Sequence, residues 1–261
     1  MQHPLRQARP SDPFLRLRVD ESAIGEYAID GDHVALLRTG RKSGETWVTA
    51  LGDDPARVVP LIESLRGHGF DGVTVHDDVF EHLPPELQGP DPGHWSLWEY
   101  TGDPSTLASV SALSSVVLDA YDERIDPLLA HSSSAYIRAG DPKVVEWRGI
   151  LDGGRQADGL GPADGDPDRL VAVGAWTHSV GDAAHLVSIC TDPAYRGRGL
   201  GRAITAALTS AAWARGVTGV NLEMYAGNDH AARAYRAVGF VEQGRFLSAH
   251  LHGPSSPDAE E

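Results

Sequence analysis

The sequence predicts an α/β chain of two domains, and three observations carry that expectation. The chain has 261 residues, too many for one small domain and suited to two of ordinary size. Strand-like and helical runs alternate along both halves, and Gly102-Asp103-Pro104-Ser105 has the composition of a boundary between them. The expected division is a first domain over 1–103, a second over 104–252 and a disordered tail over 253–261.

Residues 1 to about 22 mix Pro, Arg and Asp without a period. Strands are expected over His33–Arg38 and Thr46–Leu51. Asp54-Pro55 opens a helix in which Val58, Leu61, Ile62 and Leu65 fall three or four apart, and Gly67 and Gly69 close it before a strand over Gly72–Val75. A proline-rich loop, Leu83–Pro92, leads to a strand over Trp95–Tyr100.

The second half begins with an apolar run, Leu107–Leu118, and short helical stretches around Ile125–Leu129 and Pro142–Trp147. Residues 152–169, rich in Gly, Asp and Pro, read as an exposed, mobile loop. The pattern then sharpens into strand Leu170–Trp176, strand His185–Thr191, a glycine-rich turn, helix Leu200–Arg215, strand Val220–Tyr225, helix Asp229–Val238 and a last strand over Gly244–Leu251. Asp54-Pro55-Ala56-Arg57 echoes Asp192-Pro193-Ala194-Tyr195-Arg196, each following a strand and opening a helix. The earlier copy has Val58 and Val59 where the later one has glycines, so a phosphate could not approach its backbone.

A formal net charge of −15 opposes binding to nucleic acid, which gains its free energy from Lys and Arg displacing counterions. The same charge favours a cationic substrate. No secretory signal is expected, because prolines and charges stand where one would need an apolar core, and no run reaches the ~18 apolar residues of a membrane span, so a cytoplasmic protein is expected. The single cysteine, Cys190, excludes an intramolecular disulfide and any cysteine-based zinc cluster, and is expected to be buried and inert. His250 and His252 lack a further ligand at useful spacing, so no metal is expected.

The most informative stretch is Arg196-Gly197-Arg198-Gly199-Leu200-Gly201, set between a strand and a strongly periodic helix. Glycines let the main chain approach a ligand, and the N–H groups of a helix start carry partial positive charge, so a diphosphate fits there. Arg196, Arg198 and Arg202 add formal positive charge in an otherwise acidic chain. A P-loop would need Gly-Lys-Ser/Thr, and the dinucleotide fingerprint would need glycine at 202, which is arginine.

Arg196-x-x-Gly199-x-Gly201, preceded by Thr191-Asp192-Pro193, resembles the acyl-CoA pyrophosphate motif of the GNAT superfamily of N-acetyltransferases. A second block, Leu222-Glu223-Met224-Tyr225-Ala226-Gly227-Asn228 followed by Ala231-Ala232, Tyr235 and Gly239-Phe240, is similar to that superfamily's fifth strand and following helix. The motif match spans about residues 184 to 247, with a weaker match to the fold back to about 105. The resemblance implies a GNAT fold with a mixed, mainly antiparallel sheet flanked by helices, preceded by a smaller degenerate GNAT-like α/β domain. It also implies acetyl-CoA as co-substrate and an amine as acceptor. A homodimer is one assembly open to such a chain.

Transfer to an amine needs a neutral nucleophile, a polarised thioester carbonyl and a proton for the departing thiolate. By resemblance, Tyr235 sits beside the CoA sulfur and serves as the acid. Two residues qualify as base. His185 lies eleven residues before Arg196, matching the glutamate position of the superfamily's histone acetyltransferases, and Glu223 lies twelve before Tyr235, matching a base proposed in its ribosomal-protein N-terminal acetyltransferases. The backbone of Ile189, Cys190 and Thr191 is expected to meet the pantetheine arm, the loop from Arg196 through Gly197, Arg198, Gly199, Leu200 and Gly201 to Arg202 the pyrophosphate, and Asn228 the arm from the opposite side. Asn228 also suits a helix N-cap. A non-catalytic acyl-CoA binding or sensing module is the alternative from another class, and a general nucleotide-binding domain is a third. The identity of the acceptor is not legible.

Overall fold

The computed structural model describes residues 2–39, 44–110, 113–152 and 166–251. The chain forms two compact units, Met1–Leu97 with Gln243–Glu261, and Trp98–Glu242.

The first unit opens with two helices that carry no legible period, α1 (Pro4–Ala8) and α2 (Pro13–Arg18). Each begins on a proline, which has no N–H to leave unsatisfied, and each is capped by a side chain: His3 accepts from the Leu5 N–H and Asp12 from the Leu15 N–H. Strand β1 (Ile24–Asp30) was likewise not expected; it is an edge strand with mostly exposed side chains and no two-residue alternation. Then come β2 (His33–Thr39), β3 (Thr46–Leu51), α3 (Pro55–Leu65), β4 (Gly72–His76), α4 (Asp77–Phe80), α5 (Pro85–Gln88) and β5 (Gly93–Tyr100), whose last three residues belong to the second unit. Val58, Leu61, Ile62 and Leu65 of α3 pack on Val48, Val73 and Val75, as their spacing requires.

The second unit contains α6 (Leu107–Val110), β6 (Val116–Leu118), α7 (Ile125–Leu129), β7 (Val144–Leu151), β8 (Leu170–His178), β9 (Ala184–Thr191), α8 (Leu200–Ala214), β10 (Val220–Tyr225), α9 (Asp229–Val238) and the start of β11 (Phe240–His250), which continues into the first unit from Gln243. Its strands run in the order β10-β9-β8-β7-β6, with every neighbouring pair antiparallel except β9 and β10. This is the mixed, mainly antiparallel sheet flanked by helices that the resemblance implies. Ala203, Ile204, Leu208 and Ala212 bury one side of α8 against Ala172, Leu186, Val220 and Leu222. The larger of these side chains, Ile204, Leu208, Leu186, Val220 and Leu222, contribute about 1.5–3 kcal/mol each when fully buried. The α8 hydroxyls of Thr205 and Thr209, both buried, donate one turn back to the carbonyls of Gly201 and Thr205 at 2.7 and 2.8 Å.

Further local expectations change: the proline-rich stretch Leu83–Pro92, read as a loop, contains the short helix α5. The stretch Pro142–Trp147, read as helical, enters strand β7 at Val144, where Val144 and Val145 suit a strand and pairing with β8 decides the conformation. The apolar run Leu107–Leu118 divides into helix α6 and strand β6. Residues 153–165, within the expected mobile loop, and the tail 253–261 lie outside the described residues.

The sequence echo has a counterpart in the backbone. Strands β3 and β4 pair in parallel at Trp47↔Gly72, Val48↔Val73 and Thr49↔Thr74, joined by α3, and β9 and β10 pair in parallel over a stretch of the same length, joined by α8. The start of α3 is closed to an anion, because the Asp54 carboxylate already accepts from the Ala56 N–H and Pro55 contributes no donor.

Candidate functional site

Strands β9 and β10 pair at Val220↔Ala184, Asn221↔His185 and Leu222↔Leu186 and no further, although β9 runs on to Thr191 and β10 to Tyr225. Beyond Leu186 the edge of β9 that faces β10 therefore has no strand partner, and its main-chain groups are available to a ligand. The other edge is interrupted too. Pairing with β8 steps from Ala175↔Val187 to Val173↔Cys190, so β9 carries one extra residue, a β-bulge. Ser188, within it, has φ +51°. Gly174 lies opposite, where a Cβ would stand 2.7 Å from Leu208 Cδ1 and 3.2 Å from Ile189 Cγ1. Neither the bulge nor the need for glycine at 174 was legible beforehand.

The residues expected to meet the pantetheine arm lie on this irregular stretch. Ile189 packs half-buried against the α8 core, and Thr191 is half-buried with its hydroxyl toward the start of α8. Cys190 is buried, its thiol donates to the Leu128 carbonyl at 3.3 Å, and burial raises its pKa. Its thiol is thus occupied in packing, as expected of an inert cysteine.

A set of polar contacts holds the loop that follows. Asp192, buried, accepts from the Ala194 N–H at 2.9 Å and from Arg169 at 2.7 Å. Burial alone would raise its pKa, but the Arg169 guanidinium and the Ala194 N–H outweigh it and hold the carboxyl below its ordinary value. Arg169 and Arg198 both lie over the Tyr195 ring, at 5.1 and 4.7 Å from its centroid, and the Tyr195 hydroxyl donates to Asp152 at 2.6 Å. Asp192 and Tyr195 stand in the stretch singled out from the sequence; Asp152 and Arg169 carry no motif and are recruited by the fold.

Gly197 and Gly199 have φ +79° and +77° with no atom near a hypothetical Cβ, so backbone conformation rather than crowding requires glycine at both. Gly201 differs: its φ is ordinary, and a Cβ would meet only the Thr191 hydroxyl at 3.8 Å. Its lack of a side chain leaves open the space over the helix start. Leu200 is buried and anchors the turn to the core, whereas Arg196, Arg198 and Arg202 are exposed. Gly199 is the N-cap of α8 and no side chain accepts from its first turn, in contrast to Asp54 on α3 and Asn228 on α9. The longest helix among the described residues thus offers unsatisfied N–H groups and a positive dipole end at a loop that carries three exposed arginines, an arrangement suited to a diphosphate.

The candidate acid and bases approach from opposite faces of the sheet. Tyr235, on α9, is buried between Trp98 and Phe240 at ring distances of 6.3 and 6.2 Å. Burial raises its pKa to about 12, so the phenol holds its proton, and its hydroxyl has no hydrogen-bond partner among the described residues. Ala184 and Leu186 of β9, and Val220 and Leu222 of β10, enter the core on that same α8 and α9 side. Alternation therefore directs His185, Asn221 and Glu223 to the other face. His185 is buried, with Nδ1 2.7 Å from Asn221 Oδ1; the Asn221 amide nitrogen donates to the Ala184 carbonyl at 2.9 Å, which makes Oδ1 the acceptor and His185 Nδ1 the donor. Glu223 is half-buried, one residue past the last pair of the β9 and β10 ladder. Asn228 caps α9, accepting from the Ala231 N–H at 3.1 Å.

Among the described residues no group of His, Cys, Asp or Glu could hold a metal ion, and no helix is long and apolar enough to cross a membrane. The ring of His250 packs on Trp47 at 4.7 Å, with Nδ1 3.7 Å from Glu45; His252 lies outside the described residues.

Residues 129–240 match the model of the acetyltransferase (GNAT) family, a stretch that contains the bulge, the glycine loop, α8, β10 and α9. No curated protein matches the chain. Among solved structures, an acetyltransferase of the GNAT family from Colwellia psychrerythraea aligns over 84% of this chain and 85% of its own, with 12% identity and a TM-score of 0.50. A Drosophila protein aligns over 84% of this chain and 74% of its own, with 14% identity and a TM-score of 0.53. A GCN5-related N-acetyltransferase from Kribbella flavida aligns over 95% of both chains, with 19% identity and a TM-score of 0.49. The loop geometry and the family match fall on the same residues, and the chain therefore carries, over residues 129–240, an acetyltransferase domain of the GNAT family.

Proposed function

We propose that the second unit transfers an acetyl group from acetyl-CoA to a primary amine by direct attack. The family supports acyl transfer from an acyl-CoA. The observation that carries the reading is the α8 start, with no side-chain cap and opened by glycine, flanked by Arg196, Arg198 and Arg202 and followed back along the chain to the unpaired edge of β9. The loop receives the pyrophosphate, the backbone of Ile189, Cys190 and Thr191 pairs with the pantetheine amides, and Asn228 bounds the arm on the β10 side.

In the reaction the amine nitrogen attacks the thioester carbonyl carbon, the carbon–sulfur bond breaks, the nitrogen gives up a proton and the sulfur gains one. Glu223 takes the proton from the nitrogen, directly or through water. Its position just past the last paired residue of β10 favours it over His185, whose Nδ1 is engaged by Asn221 inside the paired region. Tyr235 supplies a proton or a strong hydrogen bond to the sulfur; a phenol raised to about 12 is fully protonated at neutral pH. The net charge of −15 favours a cationic acceptor.

Calorimetric titration with acetyl-CoA tests the reading, using the wild type and a folded Gly199→Glu, Gly201→Glu variant that sets carboxylates where the pyrophosphate belongs. Saturable binding by the wild type that the variant loses supports it. A wild type without affinity for acetyl-CoA sinks it.

A further inference from the structure

Three non-glycine residues among those described have positive φ: Asp91, Asp182 and Ser188. Of these, Ser188 alone lies inside a strand. The left-handed region is unfavourable for serine, and such strain persists only where the surroundings hold it. The Ser188 hydroxyl donates to the Ile137 carbonyl at 2.8 Å, a contact between residues 51 apart in sequence. Ile137 belongs to the segment joining α7 to β7, which is packed onto β9 through Ala135 and Ile137 beside Val187 and Cys190. The thiol of Cys190 makes a second tie, to the Leu128 carbonyl.

Ser188 is therefore where a strained bulge, the unpaired edge of β9 and the covering segment meet. We propose that Ser188 is a positioning residue that couples the open edge of β9 to residues 130–141, so that acyl-CoA binding along that edge also orders the segment. The inference rests on the acyl-transfer reading above. Ligand amides paired along Ile189–Thr191 fix the register of the bulge, and a fixed bulge holds the Ser188 hydroxyl on the Ile137 carbonyl. The segment packs on Val187 and Cys190, on the face of the sheet to which His185 and Glu223 project, so its ordering shapes the surroundings of the attacking amine. A serine with only a packing role would alter stability without changing which segments respond to ligand.

Hydrogen–deuterium exchange of the full chain with and without acetyl-CoA separates these roles in the wild type, Ser188→Ala and Ser188→Gly. The glycine variant guards against misfolding, because glycine takes φ +51° without strain. In the wild type acetyl-CoA is expected to slow exchange over both 186–191 and 133–139. In both variants, each compared at saturating acetyl-CoA, slowing persists over 186–191 and disappears over 133–139. Slowing over 133–139 that survives in both variants overturns the coupling. A wild type that binds acetyl-CoA without slowing over 133–139 also overturns it and leaves acyl transfer intact. A wild type that does not bind acetyl-CoA overturns the acyl-transfer reading and the coupling together.

Discussion

Arg169 donates to the buried carboxylate of Asp192 at 2.7 Å, tying the start of β8 to the turn that opens the glycine loop. Asp192→Asn keeps the shape and removes the charge, and is expected to lower Tm by about 2–4 °C at neutral pH. The folded Asp192 has its pKa depressed below 3.8, so its contribution is fully present above that unfolded value and is lost as pH falls through the lower folded value. The Tm difference between wild type and variant should stay constant from about pH 8 to 5 and close below about pH 4. Thermal unfolding across that range checks it, and a gap that closes near pH 6 would implicate another group.

Gly199 and Gly201 should respond with opposite signs to alanine. Gly199 is left-handed at φ +77°, so Gly199→Ala costs about 1–2 kcal/mol of stability. Gly201 has ordinary helical geometry, and a Cβ there would make only an ordinary contact with the Thr191 hydroxyl, so Gly201→Ala gains about 0.5–1 kcal/mol. That methyl group nevertheless lies over the first-turn N–H groups, and acetyl-CoA should bind at least about tenfold more weakly. A more stable, weaker-binding Gly201→Ala is the diagnostic result; stability and affinity rising together would remove the pyrophosphate from this loop.

Tyr235→Phe removes one oxygen from a packed ring, so the fold should persist with acetyl-CoA affinity unchanged within about twofold, while turnover falls about 100-fold. CoA release with an accepted amine measures the loss. Because the phenol titrates near 12, no basic limb of the wild-type pH–rate profile below pH 10 should disappear with the hydroxyl.

The two candidate bases are separable because their surroundings differ. Glu223→Gln should lower turnover by about 100-fold with little change in stability, and the variant should recover at high pH, where the amine deprotonates unaided. His185→Gln should chiefly destabilise, since it disturbs the buried contact with Asn221 between β9 and β10. Activity lost with His185 and untouched with Glu223, at equal folded fractions, would reverse the assignment.

Much of the second unit was legible because its signals are local. The glycines of the loop, the 3.6-residue apolar period of α8 and the capping asparagine of α9 each act within a few residues, so the spacing of side chains alone specifies them. The stretch after Pro142 shows the converse. Its residues permit a helix, and only the pairing of β7 with β8 makes it a strand. Short capped helices such as α1 and α2 are hard to read for a related reason: five or six residues are too few to display a period.

The sequence by itself determined that a glycine-opened, arginine-flanked helix start follows a strand, and that a tyrosine, a histidine and a glutamate stand at spacings resembling those of the GNAT family. Only the tertiary structure decided that β9 and β10 part after Leu186 and that Ser188 bulges toward the segment carrying Ile137. It also decided that Arg169, Tyr195 and Asp152 brace the loop, and that His185 is held by Asn221 while Glu223 lies beyond the last strand pair. Helix period and turn chemistry are fixed by neighbouring side chains and the backbone torsions they allow. Strand register and long-range hydrogen bonds depend on which distant segment supplies the partner, and that is settled only when the core closes.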